Sequence, residues 1–241
     1  MKLFELEDGV TIVMPALNEE LNIKQSIDMT LKVFKDLNVD FELILINDGS
    51  KDNTGNICDQ YSTNEKIYTI HHPKPSGMGR CYKEALKLSK KKYFMLIVSK
   101  NECEEDSIKK IIDKRGEADI IIPYTTNQNK RDFFRRNLSY LYTLVLQKIT
   151  GIKLKYFNGT VLHKTELLNK INFDANYHTF QSEALIKLIR KNYTFLEVPT
   201  LVNWNKSHKT NAFNIKNIIS VFNFLFSICL LYTSDAADEE D

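Results

Sequence analysis

The sequence predicts an α/β fold with a mostly parallel central sheet flanked by helices. Two apolar runs, Val10 to Met14 and Phe41 to Ile46, read as buried strands, and a helical pattern separates them. Strand, helix and strand in that order make a parallel crossover unit. Both runs end in polar residues, TIVMPALNEE and FELILINDGSKDNT, the second through an Asp-Gly-Ser turn. That ending suits a strand that stops where a ligand begins. In an open α/β sheet, ligands lie beyond the carboxyl ends of the strands, which places Asn47, Asp48, Gly49 and Ser50 in a crevice. Taken alone, the Asp-Gly pair fits a hairpin turn equally well.

Each element follows from its spacing. Ile23, Ile27, Leu31 and Phe34 recur at helical intervals and predict an amphipathic helix over Glu19 to Leu37. A short helix is expected near Thr54 to Tyr61 and a strand near Ile67 to Ile70. Pro73, Pro75, Gly77 and Gly79 then mark a loop, with the next helix from Arg80 to Ser89. A lone Gly-x-Gly before a helix is a weak phosphate signal that an ordinary turn also explains. Tyr93 to Val98 and Ala118 to Pro123 are two more buried strands. A basic connection, a long helix, a YFNG turn and a strand follow, then a helix within FQSEALIKLIRKN and the strand ending Glu197 to Pro199.

At 241 residues the chain is long enough for one large domain with a full core, and no second domain is required. Hydrophobic content of 43% and charged content of 27% are those of a soluble globular protein. Five acids fall in the last seven residues, so up to Ser234 the chain carries 33 basic against 26 acidic side chains. That moderate excess suits a phosphate-rich ligand or an anionic membrane surface. Cys58, Cys81, Cys103 and Cys229 show no CxxC spacing, which argues against zinc and for a reduced cytosolic location. The opening MKLFELEDGVTIV has acids where a signal peptide needs an apolar run.

PALNEE followed by INDGSKDNT resembles the opening of a family 2 glycosyltransferase with the GT-A nucleotide-diphospho-sugar transferase fold. The resemblance covers roughly Val10 to Phe226 and is nearest to polyprenyl- and dolichyl-phosphate sugar transferases and their bacterial relatives. It implies that Pro15, Ala16, Asn18 and Glu19, with Asn47, Asp48 and Ser50, form the nucleotide pocket, and that Gly77 and Gly79 lie near the donor diphosphate. It further implies inverting transfer from a nucleotide-sugar donor to a polyprenyl-phosphate or glycan acceptor, a Mg2+ or Mn2+ cofactor, and no nucleic-acid partner. In such enzymes an Asp-x-Asp pair ends the fourth strand, because two close carboxylates hold a divalent cation against the diphosphate.

Here that segment is SKNECEED, Ser99 to Asp106. Read as Ser99-Lys100-Asn101, both acids are gone; read as Lys100-Asn101-Glu102, the preferred register, the second survives as Glu102 and Lys100 replaces the first. Three accounts stay open: a cation held by Glu102 with Glu104, a Lys100 ammonium replacing metal charge, or a site that has lost catalysis. The acids also suit an ordinary helix start.

Tyr156, Phe157, Asn158 and Gly159 match the family's YYNG-like turn, and Arg131, Arg135 and Arg136 either face acceptor phosphate or are solvated. Glu183 aligns with an acid that deprotonates an acceptor hydroxyl; for an acceptor phosphate, already ionised, it would position groups instead. Relatives then carry Arg-x-x-Gly-x-Ser-Lys, whereas Asn205, His208, Thr210 and Asn211 stand here, with Lys206 and Lys209 keeping the loop basic. These two departures support a competing reading, a catalytically impaired binding or scaffold subunit. The expected organisation is a GT-A domain over 1–212, an apolar or amphipathic helix over 213–228 against the domain or a membrane surface, and a tail over 229–241. CLLYTSDAADE in that tail looks like a translated sequencing adapter. The expected location is cytoplasmic, peripheral at the inner face of the membrane.

Overall fold

A computed structural model describes residues 6–172, 179–204 and 221–229. Strand β1 (Glu7–Ala16) pairs in parallel with β2 (Phe41–Asn47) on one side and with β4 (Lys91–Leu96) on the other. β3 (Ile67–His71) lies parallel to β2 at the sheet edge. Beyond β4 come β6 (Leu162–Lys164), β5 (Ile120–Thr125) and β7 (Phe195–Thr200), giving the order β3-β2-β1-β4-β6-β5-β7. β6 is antiparallel to both its neighbours, while β5 and β7 are parallel. Six strands therefore point one way and deliver their carboxyl ends to one edge.

Parallel strands are covered on both faces, which is why these segments are apolar almost throughout. Alternation sends Val13, Ile44, Ile46, Phe94 and Leu96 to one face and Ile12, Met14, Leu43, Leu45 and Met95 to the other. The second face is covered by α1 (Ile23–Leu37), α2 (Thr54–Gln60) and α4 (Glu105–Asp113), through Ile27, Phe34, Cys58, Ile108 and Ile111. The first is covered by α3 (Met78–Leu88), α5 (Phe133–Thr150) and α7 (Phe180–Arg190), through Tyr82, Leu86, Leu146, Phe180 and Leu185. A single turn, α6 (Thr165–Leu168), follows β6.

The mostly parallel α/β sandwich expected from the sequence is present, and several boundaries move. The helix expected from Glu19 begins at Ile23. The Glu19 and Glu20 amides are instead taken by Thr54 Oγ1 at 2.8 Å and Asp52 Oδ2 at 3.2 Å, which fastens this turn to the segment after β2. The helix expected from Arg80 begins two residues earlier, at Met78. β4 starts at Lys91 and ends at Leu96. Asn38, in the left-handed region with φ 50°, ends α1 by returning its amide to the carbonyls of Phe34 and Lys35.

Residues 221–229 are helical, with Phe224 and Ile228 buried in the first-face core. The rest of the expected 213–228 helix, and the tail from 230, lie outside the described residues. Among the described residues, no helix is long and apolar enough to cross a membrane.

Phe94 is fully buried and meets Tyr82 edge-on at 4.9 Å between ring centroids. Phe94→Ala is expected to lower the unfolding free energy by about 3–5 kcal/mol in urea titration. A loss below about 1 kcal/mol would mean that the two rings do not pack as described.

Candidate functional site

The site grows from the carboxyl edge of the sheet. Register aligns Ala16 with Asn47 and Asn47 with His71, so three strand ends form one row. The row continues one residue further, with the Asp48 amide on Ala16 O at 2.8 Å and the His72 amide on Asn47 O at 2.9 Å. β1 lies between β2 and β4, where the strand order reverses, and open α/β sheets bind ligands at that point.

Asp48 is buried, and both its oxygens are engaged by the loop that follows β3. Oδ1 accepts from the Ser76 amide at 2.8 Å and the Ser76 hydroxyl at 2.7 Å, and it pairs with His72 Nδ1 at 2.7 Å. Oδ2 accepts from the Gly77 amide at 2.9 Å. Gly77, φ 98°, is the residue on which α3 starts. Close approach requires glycine at 49 too: its φ is +73°, and a Cβ there would lie 2.6 Å from the Lys74 carbonyl carbon. The other ring nitrogen of His72 is 2.9 Å from Glu84 Oε2 on α3. Both imidazole nitrogens thus face carboxylates, which only the imidazolium can answer with two donors. Burial alone would raise the Asp48 pKa, but the donors from His72, Ser76 and Gly77 outweigh it and bring it below the usual value. For His72, burial works downward and is outweighed by Asp48 and Glu84, which raise it.

The opposite wall comes from the loop after β1. Asn18, φ 55°, donates its amide to Ser50 Oγ at 3.0 Å, and its Oδ1 accepts from the Lys51 amide at 2.8 Å. Asn47 is used internally, its Oδ1 accepting from the Ser50 amide and its Nδ2 lying 3.1 Å from His71 Nδ1. Ser99 Oγ donates to Pro15 O at 2.8 Å and ties the end of β4 to β1. The next residue, Lys100, brings Nζ to 3.8 Å from Glu19 Oε1, whose other oxygen accepts from Asn22 Nδ2. Pro15, Ala16, Asn18, Glu19, Asn47, Asp48, Ser50, Gly77 and Lys100 thus lie together at the carboxyl edge of β1, β2 and β4 and in the loops that follow. Gly79 is buried in the first turn of α3.

A divalent cation of the Mg2+ or Mn2+ kind takes mainly oxygen ligands. The residue at the first-carboxylate position is instead a cation already facing Glu19, and Glu102 is fixed through its backbone oxygen to the Asn203 amide at 2.8 Å. Among the described residues, Asp48, His72 and Cys81 are the potential ligands that cluster, within 4.8 Å of one another. Asp48 is filled by protein donors, and burial pushes the Cys81 thiol up to about 12, away from the thiolate that binds metal. The Asp48–His72–Cys81 cluster fits a hydrogen-bond hub rather than a site for such a cation.

Other expected residues form a second group. Glu183, buried in the first turn of α7, pairs with Lys187 at 2.6 Å. Its neighbour Ser182 accepts from Tyr142 OH at 2.9 Å and reaches Asn158 Oδ1 at 3.3 Å. Gly159 packs against Pro123, where a Cβ would meet the Pro123 carbonyl oxygen at 2.9 Å. Arg131 lies over the Trp204 ring at 5.2 Å, and Arg136 over Phe133 at 5.4 Å. Arg135 gives its backbone amide to Asp132 at the start of α5. Lys206 and Lys209 lie outside the described residues.

Sequence reasoning missed His72, Ser76, Glu84 and Thr54. A histidine directly after a strand at the ligand edge was the available signal for the first.

The raised His72 value means that its contribution to stability is complete below pH 6.5 and is lost as pH rises through the folded-state value. The lowered Asp48 value means the reverse on the acid side: its contribution is present above 3.8 and is lost as pH falls through the folded-state value. The pair is strongest between those limits. His72→Gln is expected to cost about 1–3 kcal/mol at pH 6 and less at pH 9. Thermal melts should show the gap to wild type closing as pH rises; a constant gap would refute the imidazolium assignment.

The family model for glycosyl transferase family 2 matches residues 11–179. Over 180 residues the chain is 28% identical to an uncharacterized protein of Methanocaldococcus jannaschii, covering 68% of this chain and 76% of that one. Over 163 residues it is 25% identical to a dolichyl-phosphate beta-glucosyltransferase of Trichomonas vaginalis, covering 60% of this chain and 50% of that enzyme, about half its length. Among solved structures, the glucosyl-3-phosphoglycerate synthase of Mycobacterium tuberculosis in complex with Mn2+, UDP-glucose and phosphoglyceric acid matches with a TM-score of 0.69, over 92% of this chain and 80% of that one, at 17% identity. The fold is the GT-A fold expected from the sequence, and the chain belongs to glycosyl transferase family 2.

Proposed function

We propose that the chain transfers a sugar, with inversion, from a nucleotide-sugar donor to a polyprenyl-phosphate acceptor, using Lys100 in place of metal charge. The observation that carries this reading is the Lys100 ammonium, 3.8 Å from Glu19 at the β1–β4 crevice. Across the crevice stands the loop that Asp48 holds at the start of α3. The nucleotide lies against Pro15, Ala16, Asn18 and Ser50, and the diphosphate between Lys100 and the Gly77–Gly79 turn. In the transfer, an acceptor oxygen bonds to the anomeric carbon as the bond from that carbon to the diphosphate breaks. The leaving group gains negative charge, and a fixed ammonium stabilises it without reorganisation. Mg2+ or Mn2+, held by Glu102, is the alternative source of that charge.

The acceptor class follows the dolichyl-phosphate relative. A phosphate acceptor is already ionised and needs no base, in keeping with a Glu183 carboxylate that is paired with Lys187. Glu183 then positions the acceptor side with Asn158 and Gly159, and Arg131, Arg135 and Arg136 meet its phosphate; a glycan hydroxyl would require Glu183 as base. The second reading, a binding or scaffold subunit, is favoured by the same Lys100, since it removes a metal ligand without guaranteeing turnover.

Hydrolysis and transfer across a panel of UDP- and GDP-sugars, with Mn2+, with Mg2+ and with EDTA, separate these readings. Expected is EDTA-insensitive turnover that Lys100→Ala lowers by about 10²-fold, mainly in kcat. Turnover that EDTA abolishes would assign the charge to a metal. Nucleotide binding without turnover, relieved by Lys100→Asp with Mn2+, would establish the binding subunit.

A further inference from the structure

We infer that the outward face of α5 docks on an anionic phospholipid bilayer. In α5, Thr143 and Leu146 are buried, and Tyr142 faces inward, bonded to Ser182. On the other side, Phe133 (70% exposed), Tyr140 (64%), Leu141 (55%) and Leu144 (40%) recur at i, i+7, i+8 and i+11, which a helix gathers on one face. The side of the helix facing solvent is thus the more apolar, the reverse of a surface helix serving only its own core. The helical segment 221–229 repeats the pattern, burying Phe224 and Ile228 while Phe222 and Phe226, four residues apart, stand 67% exposed.

Charge selects the occupant. Within α5 the cations Arg135, Arg136 and Lys148 occur with no Asp or Glu, and Lys130 and Arg131 stand just before it with a single acid, the N-cap Asp132. An apolar face with cations at its margin is the pattern of a helix lying in the lipid interface, its aromatic and aliphatic side chains among the acyl chains and its cations at headgroup phosphates. A second copy of the chain fits less well, because a two-fold contact brings this net-basic face against itself. Docking does not depend on the sugar-transfer reading, since it needs neither donor nor acceptor.

The test is flotation of the full chain with vesicles of 70% phosphatidylcholine and 30% phosphatidylglycerol, free of polyprenyl phosphate, beside pure phosphatidylcholine vesicles. Expected is binding to the anionic vesicles that falls about tenfold or more on neutral ones or in 0.5 M salt. Leu141→Glu with Leu144→Glu should weaken it by at least about tenfold while leaving the thermal midpoint unchanged, both side chains being exposed. Absence of binding, or binding equal in the double variant, overturns the inference. So does a wild-type dimer in sedimentation velocity that the double variant splits, which assigns the face to a second copy. Loss of transfer activity with vesicle binding intact would fall on the proposed function alone.

Discussion

A carboxylate held away from bulk water at the end of β2 sets the geometry of this site. Burying an ion is costly unless donors replace its hydration, and Asp48 takes all its replacements from one stretch, His72 to Gly77. The consequence is mechanical. The chain leaving β3 is drawn across the end of β2, closely enough that residue 49 can carry no side chain, and α3 is released at a fixed point and angle. The same hub extends through His72 to Glu84, so the first turns of α3 are tied back to the carboxylate that started the arrangement. Any ligand in the crevice meets a wall whose shape depends on one negative charge.

Across from it, Lys100 and Glu19 make the opposite choice of charge. Carboxylates at such a position attract a diffusible divalent cation, which must give up water ligands to bind. A lysine delivers one positive charge on its own tether. It supplies less charge than a divalent ion and needs no assembly, and Glu19 holds it near the end of β1. In the proposed reading the exchange would alter how donor charge is met, while the fold beneath is held as Ser99 secures the end of β4 to the Pro15 carbonyl.

The fold was legible because its signals are local: apolar runs such as FELILI and YFML become strands in any arrangement that covers both faces. Boundaries moved where distant groups intervened, as when Thr54 and Asp52 took the amides of Glu19 and Glu20 and delayed α1. The site was legible only as letters. NDGS follows β2 and the Gly-x-Gly turn opens α3 as expected, yet their use differs from a simple reading, since the Gly77 amide is committed to Asp48. His72 could not be read as the link, because its two carboxylate partners are 24 and 12 residues away and become neighbours only once β3 is laid beside β2. The antiparallel β6, three residues long, carried too little pattern to show its direction.

The long helix α5 marks a different limit. Its sequence, FFRRNLSYLYTLVLQKIT, has the apolar content of a buried helix, and only the placement of Leu146 and Tyr142 against the core fixes which side is left over. Arg131, Arg135 and Arg136 acquire a second meaning from that placement. A helix lying on a bilayer holds its marginal cations at the level of the headgroups, and that is the level at which a polyprenyl phosphate presents its charge. Under the proposed transfer and docking, one set of arginines at the start of α5 would serve both surface and acceptor, so that orientation on the membrane and orientation of the acceptor would be a single geometric condition.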